Sequence, residues 1–244
     1  MPRRARRPLA GLAAAAAAVV AVLGTAFAGE RSAGHLDRFA MHALGPVRRT
    51  ADVSQGFADL GNPVPIALAL LGLIIAAWRM HLLRGLVVVV VGPLLAMVTT
   101  SLVLKPIIDR THGGGLAFPS GHTTAVTSVV LAGALVFLGR PGVTRRLRWV
   151  SGIALGVLVA AVAATLAGLG YHYATDTVGG FALALAVVSA VALAVDAVGE
   201  RAARRRAGRS RLPSAREVAE GPEPGAVEDV PAPREDPTRR LTGR

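Results

Sequence analysis

Residues 85–104 read GLVVVVVGPLLAMVTTSLVL, twenty positions without a charged side chain, bounded by Arg84 and Lys105. A helix rises about 1.5 Å per residue, so the run reaches about 30 Å, the depth of a bilayer's hydrocarbon core. Its Gly92-Pro93 pair is tolerated in membrane helices, where neighbours satisfy the freed backbone groups. Five further runs repeat the pattern: 9–28, 64–78, 116–139 with His122 as its one ionisable group, 150–171 and 177–195. The chain is therefore expected to be an all-α, polytopic membrane helix bundle with six transmembrane helices.

The whole-chain numbers agree. Among 244 residues, 52% are hydrophobic and the mean hydropathy is +0.52, despite a net charge of +12. Aromatic residues make up only 4%, which argues against a nucleic-acid partner built on basic grooves and stacking rings. Cysteine is absent, so disulfides, thiolate metal sites and Cys nucleophiles are excluded.

Four segments are expected. Residues 1–28 hold Arg3, Arg4, Arg6 and Arg7 before the first apolar run. A cleaved signal peptide competes here, since Ala26-Phe27-Ala28 resembles a cleavage site, but the run is longer than a usual signal core, and a retained helix is the reading taken. Residues 29–63 form an outer connection, either a solvated loop or a short helix along the membrane surface. Residues 64–195 form the helical core, and 196–244 a basic, then disordered, tail. Arg79, Arg84, Arg140, Arg145, Arg146 and Arg148 lie in the same set of connections as both termini. By the bias of Lys and Arg, both termini are cytoplasmic and 29–63, 105–121 and 169–176 face outward, in the cell membrane. Arg201, Arg204, Arg205, Arg206, Arg209 and Arg211 serve as an orientation signal or bind anionic head groups.

The polar residues gather where helices meet the outer connections. Lys105 closes the third run; Arg110 and His112 follow, then Gly113-Gly114-Gly115 and Pro119-Ser120-Gly121-His122. The last block reads as a helix start, with Ser120 as N-cap and Gly121 permitting close backbone approach. Free N–H groups and the helix dipole favour an anion there. Lys105 and Arg110 add positive charge, and the combination suggests a phosphate pocket. Snorkelling cations beside a capped helix explain the same residues one by one, except His122. His172 and Asp176 are four apart and share a helix face. A carboxylate beside imidazole fixes its tautomer and leaves the other ring nitrogen free as nucleophile or base, although such a pair is as often structural. A metal site from His112, His122 and His172 is disfavoured by the neighbouring cations, and no metal or other cofactor is expected.

Lys105, Pro119-Ser120-Gly121-His122 and His172-x-x-x-Asp176, on six spans, resemble the type-2 phosphatidic acid phosphatase family of membrane lipid phosphatases. The resemblance covers residues 60–195. It implies that His172 is the nucleophile forming a phosphohistidine, that Asp176 orients it, and that His122 protonates the leaving alkoxide. It also implies that Ser120, the Gly121 backbone and Lys105 hold the phosphoryl oxygens, with no metal required. Two family arginines are absent. His112-Gly113 stands where the first motif has Arg-Pro, with Arg110 as the nearby replacement, and Thr165-Leu166 stands where the third opens Ser-Arg. Each lost charge-assisted hydrogen bond weakens binding by roughly 1.5–3 kcal/mol. The leading expectation is a phosphatase for a lipid phosphate or diphosphate at the outer surface. A lipid phosphotransferase, or a weakly catalytic binding or scaffold protein on the same fold, are the alternatives.

Overall fold

The charge-free runs fold as helices because each must satisfy its own backbone hydrogen bonds away from water. The computed structural model describes residues 3–209. Within them α1 spans Arg3–Ala26, α2 His35–Ala43, α3 Ala51–Asp59, α4 Pro63–Arg79 and α5 Leu83–Val98. After these come α6 Lys105–Ile108, α7 Gly121–Gly133, α8 Arg145–Gly168 and α9 Ala174–Arg209. Met1–Glu200 form one compact unit, and Arg201–Arg244 a second, whose described part, 201–209, is helical. Residues 210–244, with Arg211 and the tail expected to be disordered, lie outside the described residues.

Among the described residues, five stretches are long and apolar enough to cross a membrane: Ala5–Ala26, Leu83–Ile108, Gly121–Leu138, Arg145–Gly168 and Ala174–Arg205. The sixth expected span is α4. At 17 residues it reaches about 25 Å, and it follows α3 across a bend of 54°. The chain is a multi-pass membrane protein built as an all-α bundle.

Helix α7 lies at the centre. Its Val126 packs with Ala58 of α3 and Val159, Val162 and Leu166 of α8. Its Ala132 packs with Val88 and Val89 of α5 and Val188 and Ala192 of α9. Ala16 and Val20 of α1 close the bundle against Ala182 and Leu183 of α9. Alanine recurs in each cluster, at Ala58, Ala132, Ala192, Ala16 and Ala182, where a small side chain lets helices in lipid approach closely; Val and Leu fill the rest. Hydroxyls inside the bundle bond to carbonyls of their own helix: Thr100 to Ala96 at 2.8 Å, Ser128 to Ala125 and Thr165 to Val162 at 2.9 Å. The outward surfaces carry Leu68, Leu102, Ile107, Val157 and Val178, all exposed, as suits a lipid-facing surface.

Residues 29–63 differ from the expected loop or single surface helix. They fold into α2, a 3₁₀ turn Gly45–Thr50 and α3. Ala58 enters the core, and Asp37 is fully buried. The charged side chains separate toward two ends. Arg6, Asp196 and Glu200 pair at one, where Arg84 also bonds to the Gly199 carbonyl. Lys105, Arg110, His122, His172 and Asp176 gather at the other.

Candidate active site

The site is built where α7 and α9 begin side by side. Ser120 caps α7: its Oγ accepts from the Thr123 N–H at 3.4 Å and the Thr123 hydroxyl at 3.2 Å. Its own N–H donates to the Asp176 carbonyl at 2.9 Å, tying the two motifs together. The approach is close enough that a Cβ on Gly180 would lie 2.5 Å from the Ser120 carbonyl oxygen. Beside Gly121, by contrast, a Cβ would meet nothing within 4 Å. The first-turn N–H groups of α7 have no intrahelical acceptor, so this open space adjoins donors suited to an anion.

The two expected imidazoles come together beside the start of α7. The His122 and His172 rings are 6.5 Å apart between centroids, inclined at 57°. His172 is delivered by the turn between α8 and α9, where Gly170 takes φ +82°, a conformation that suits glycine. The His172 N–H donates to the Leu166 carbonyl at 3.2 Å. The His172 ring is largely buried, with 13% of its side chain exposed, and Nδ1 lies 3.8 Å from Asp176 Oδ2. Nδ1 has no hydrogen-bond partner. The pair is thus aligned but open, and a small ring movement toward Asp176 closes it. Catalytic hydrogen bonds are often long before substrate binds.

Asp176 is itself held. Oδ2 accepts the Tyr173 N–H at 3.1 Å, and Oδ1 accepts from Arg110 Nη1 at 2.5 Å. The structure departs from expectation at Arg110. Its guanidinium has no exposed surface and does not face the open space. It donates to Asp37 Oδ2 at 2.6 Å and to the Thr175 hydroxyl at 2.7 Å. It also stacks between the Phe27 and Tyr173 rings, 4.1 and 4.5 Å from their centroids. Two carboxylates and two aromatic faces outcompete a phosphate pocket for this cation. Arg110 therefore holds Asp176 in place of binding phosphate directly.

Asp37 is a residue that sequence reading missed. It accepts from the Thr175 N–H at 3.0 Å and the Thr175 hydroxyl at 2.8 Å as well as from Arg110. Burial alone would raise its pKa, but the bonds from the Thr175 N–H, Arg110 and the Thr175 hydroxyl hold it below the ordinary carboxylate value. Burial pushes the neighbouring Tyr173 phenol up.

His112 also differs from its expected phosphate contact. Its Nε2 donates to the Gly170 carbonyl at 2.8 Å, and its ring lies 4.3 Å from that of Tyr173. It braces the turn that carries His172. Leu166, where the resembling family has arginine, is buried among Ala58, Val126, Val159 and Val162. Lys105 opens α6 directly after a π-helical turn, Thr99–Leu104, and is half-buried within electrostatic reach of Asp176. Of the expected cationic contacts to phosphate, Arg110 is taken up by the protein and Lys105 remains. Among the described residues no group of three or more His, Asp or Glu is placed to hold a metal.

No protein-family model matches the chain, and no curated protein does. Among solved structures, it resembles a transmembrane PAP2-type phosphatidylglycerolphosphate phosphatase from Bacillus subtilis. The TM-score is 0.55 at 22% identity, over 78% of this chain and 96% of that one. The chain thus has the fold of a PAP2-type membrane phosphatase.

Proposed function

We propose that the protein is a membrane phosphatase that hydrolyses a lipid phosphate or diphosphate through a phosphohistidine. The observation that carries this is the meeting of His122 and His172 beside the start of α7, with Asp176 behind His172. In this reading the phosphoryl group rests against the first-turn N–H groups of α7, Ser120 and Lys105. Asp176 stabilises the His172 tautomer with its proton on Nδ1, leaving Nε2 as the nucleophile. Nε2 attacks phosphorus, the bond to the leaving oxygen breaks, and His122 gives that oxygen a proton. Water then attacks the phosphohistidine, returning a proton to His122, and phosphate leaves. His122 must be protonated while His172 is neutral, which predicts a bell-shaped pH profile.

The same reading puts the site on the outer surface. The support is that Arg6, Arg84, Arg140 and Arg148 all belong to the opposite end, as cytoplasmic residues do. Because the chain has no cysteine, Gly114→Cys and Pro141→Cys give a clean test with an impermeant thiol reagent on intact cells. Labelling of position 114 alone is expected, and the reverse pattern overturns the orientation.

A binding or scaffold role has one observation in its favour, the withdrawal of Arg110 from the open space. Phosphate release from a panel of lipid phosphates by purified protein separates the readings. His172→Ala is expected to abolish both turnover and an acid-labile phosphoprotein. Release at the wild-type rate by that variant rules out the phosphohistidine.

A further inference from the structure

The break between α3 and α4 has features that its role as a helix junction does not require. Asn62 occupies the N-cap of α4 with extended backbone, φ −68° and ψ 156°, yet its side chain makes no capping bond. Asparagine is among the best capping residues, and leaving the cap unmade sacrifices on the order of 1 kcal/mol. The side chain instead turns toward the site, where its Oδ1 lies 3.0 Å from His122 Nε2. The preceding residue, Gly61, is buried, and a Cβ there would lie 2.6 Å from His122 Cβ. The junction is therefore shaped around the His122 ring.

The orientation of the Asn62 amide follows from its other partner. Its Nδ2 is 3.1 Å from Asp59 Oδ1, and an ionised carboxylate only accepts. The Asn62 nitrogen must face Asp59, so its oxygen must face His122. That oxygen only accepts, so His122 Nε2 must carry a proton. The chain continues outward with the same sense. Gln55 Nε2 donates to Asp59 Oδ1 at 2.8 Å, and the Tyr171 hydroxyl donates to Gln55 Oε1 at 2.7 Å. Every donor and acceptor from Tyr171 to His122 is thereby fixed, with the Asp59 charge at the centre.

We propose that Asp59 and Asn62 are positioning residues that hold His122 with its proton on Nε2, leaving Nδ1 to carry the proton given to the leaving group. This rests on the reading of His122 as the acid. A neutral amide alone would fix the ring's orientation. The carboxylate behind it also favours the imidazolium, as a carboxylate does when it polarises a histidine's hydrogen-bond partner. The titratable groups facing His122 are His172 ahead of α9, Lys105 from α6 and Asp59 from α3, of which only Asp59 carries a negative charge when ionised.

The test uses full-length protein in detergent or bilayer discs. The first arm reads the tautomer directly, by 15N NMR of histidine-labelled protein, with His122→Gln assigning the signal. At a pH where the ring is neutral, wild type is expected to show His122 with Nε2 protonated, and Asn62→Leu a mixture of tautomers. The second arm compares a long-chain alkyl phosphate with p-nitrophenyl phosphate, whose leaving group needs little protonation. Asn62→Leu is expected to slow phosphoenzyme formation from the alkyl phosphate by about tenfold or more, within the span of general acid catalysis, and to leave phosphoenzyme formation from p-nitrophenyl phosphate within about threefold. Asp59→Asn, which keeps one acceptor oxygen for Asn62 Nδ2 and Gln55 Nε2 but removes the charge, should move the basic limb of the pH profile downward by about half a unit or more. A wild-type Nε2 that is unprotonated in the neutral ring, or an Asn62→Leu tautomer indistinguishable from wild type, overturns the positioning role whatever the activity. If the tautomer behaves as expected but phosphoenzyme formation by His122→Ala shows no dependence on leaving group, His122 is not the acid and the catalytic part of the proposal falls, whereas the phosphatase reading falls only if no lipid phosphate is hydrolysed or His172→Ala still releases phosphate.

Discussion

Replacing Asp37 by asparagine changes one atom in a carboxylate that has no exposed surface. All three of its partners are donors. Oδ1 accepts twice from Thr175, at 2.8 and 3.0 Å, while Oδ2 accepts from Arg110 at 2.6 Å. An amide offers only one acceptor oxygen. Its NH2 must face either the Thr175 donors or the Arg110 guanidinium, and both contacts are repulsive. The lost charge-assisted bond alone is worth about 1.5–3 kcal/mol. Leaving the buried guanidinium with one carboxylate in place of two adds to that, and removing one partner of a buried pair typically costs about 3–5 kcal/mol. The lower end, about 3 kcal/mol, suits an isosteric change that keeps Asp176 in place. For a chain of this size each 1 kcal/mol lowers Tm by about 2–4 °C, so Asp37→Asn should unfold about 6–12 °C earlier.

Intrinsic-fluorescence melting in detergent measures that shift. A cycle with Arg110→Gln shows whether it belongs to the pair, and a coupling of at least about 1 kcal/mol is expected for groups in direct contact. Activity should fall with it, because Arg110 is the link between Asp37 and Asp176. A melting point within about 2 °C of wild type, or strictly additive losses, would refute the account of Arg110 as a buried hub.

How far the sequence foretold this site depends on how local each signal was. The spans were legible because a charge-free run is compared with one length, the bilayer thickness. Ser120 and His122 were legible for the same reason, since a cap and its helix lie within a few residues. His172 and Asp176 were legible as a pair four apart, and the structure brings them to His122 as expected. Arg110 was misread because its partners are distant: Asp37 is 73 positions away and Asp176 66. An arginine near a lysine and a glycine run looks the same whether it faces a phosphate or a buried carboxylate. Asp37 itself lay in a segment whose mixed polarity showed no long apolar run, so nothing marked it as buried. Asn62 precedes Pro63 and looks like an ordinary helix start; only the position of His122 shows that its side chain is used elsewhere. The missing family arginine at Leu166 now has a local reason, because apolar side chains of α3, α7 and α8 surround that position.

The remaining expectations follow from single contacts. Asp37 is held below its unfolded carboxylate value, so its contribution is present above about pH 3.9 and is lost as pH falls through the lower folded value. Melting temperature should therefore show no Asp37-dependent fall between about pH 8 and 5, and a loss below about pH 4 that Asp37→Asn lacks; an equal loss in both disproves the linkage. Leu166→Arg restores a family residue type but puts a charge among Val126, Val159 and Val162. It should lower Tm and not raise kcat/KM, and a gain in kcat/KM would show that the side chain reaches the phosphate. Gly180→Val tests the contact between α7 and α9, because the added Cβ would lie 2.5 Å from the Ser120 carbonyl oxygen and 3.0 Å from Thr124 Oγ1. That oxygen is backbone and cannot rotate away, so the two helix starts must separate, carrying His172 and Asp176 from His122. Turnover of lipid phosphate and p-nitrophenyl phosphate should fall together, since the nucleophile is displaced and leaving-group protonation no longer matters. If Gly180→Val spared p-nitrophenyl phosphate alone, the damage would be confined to the acid, and α9 would not be the element that sets His172 against the phosphoryl site.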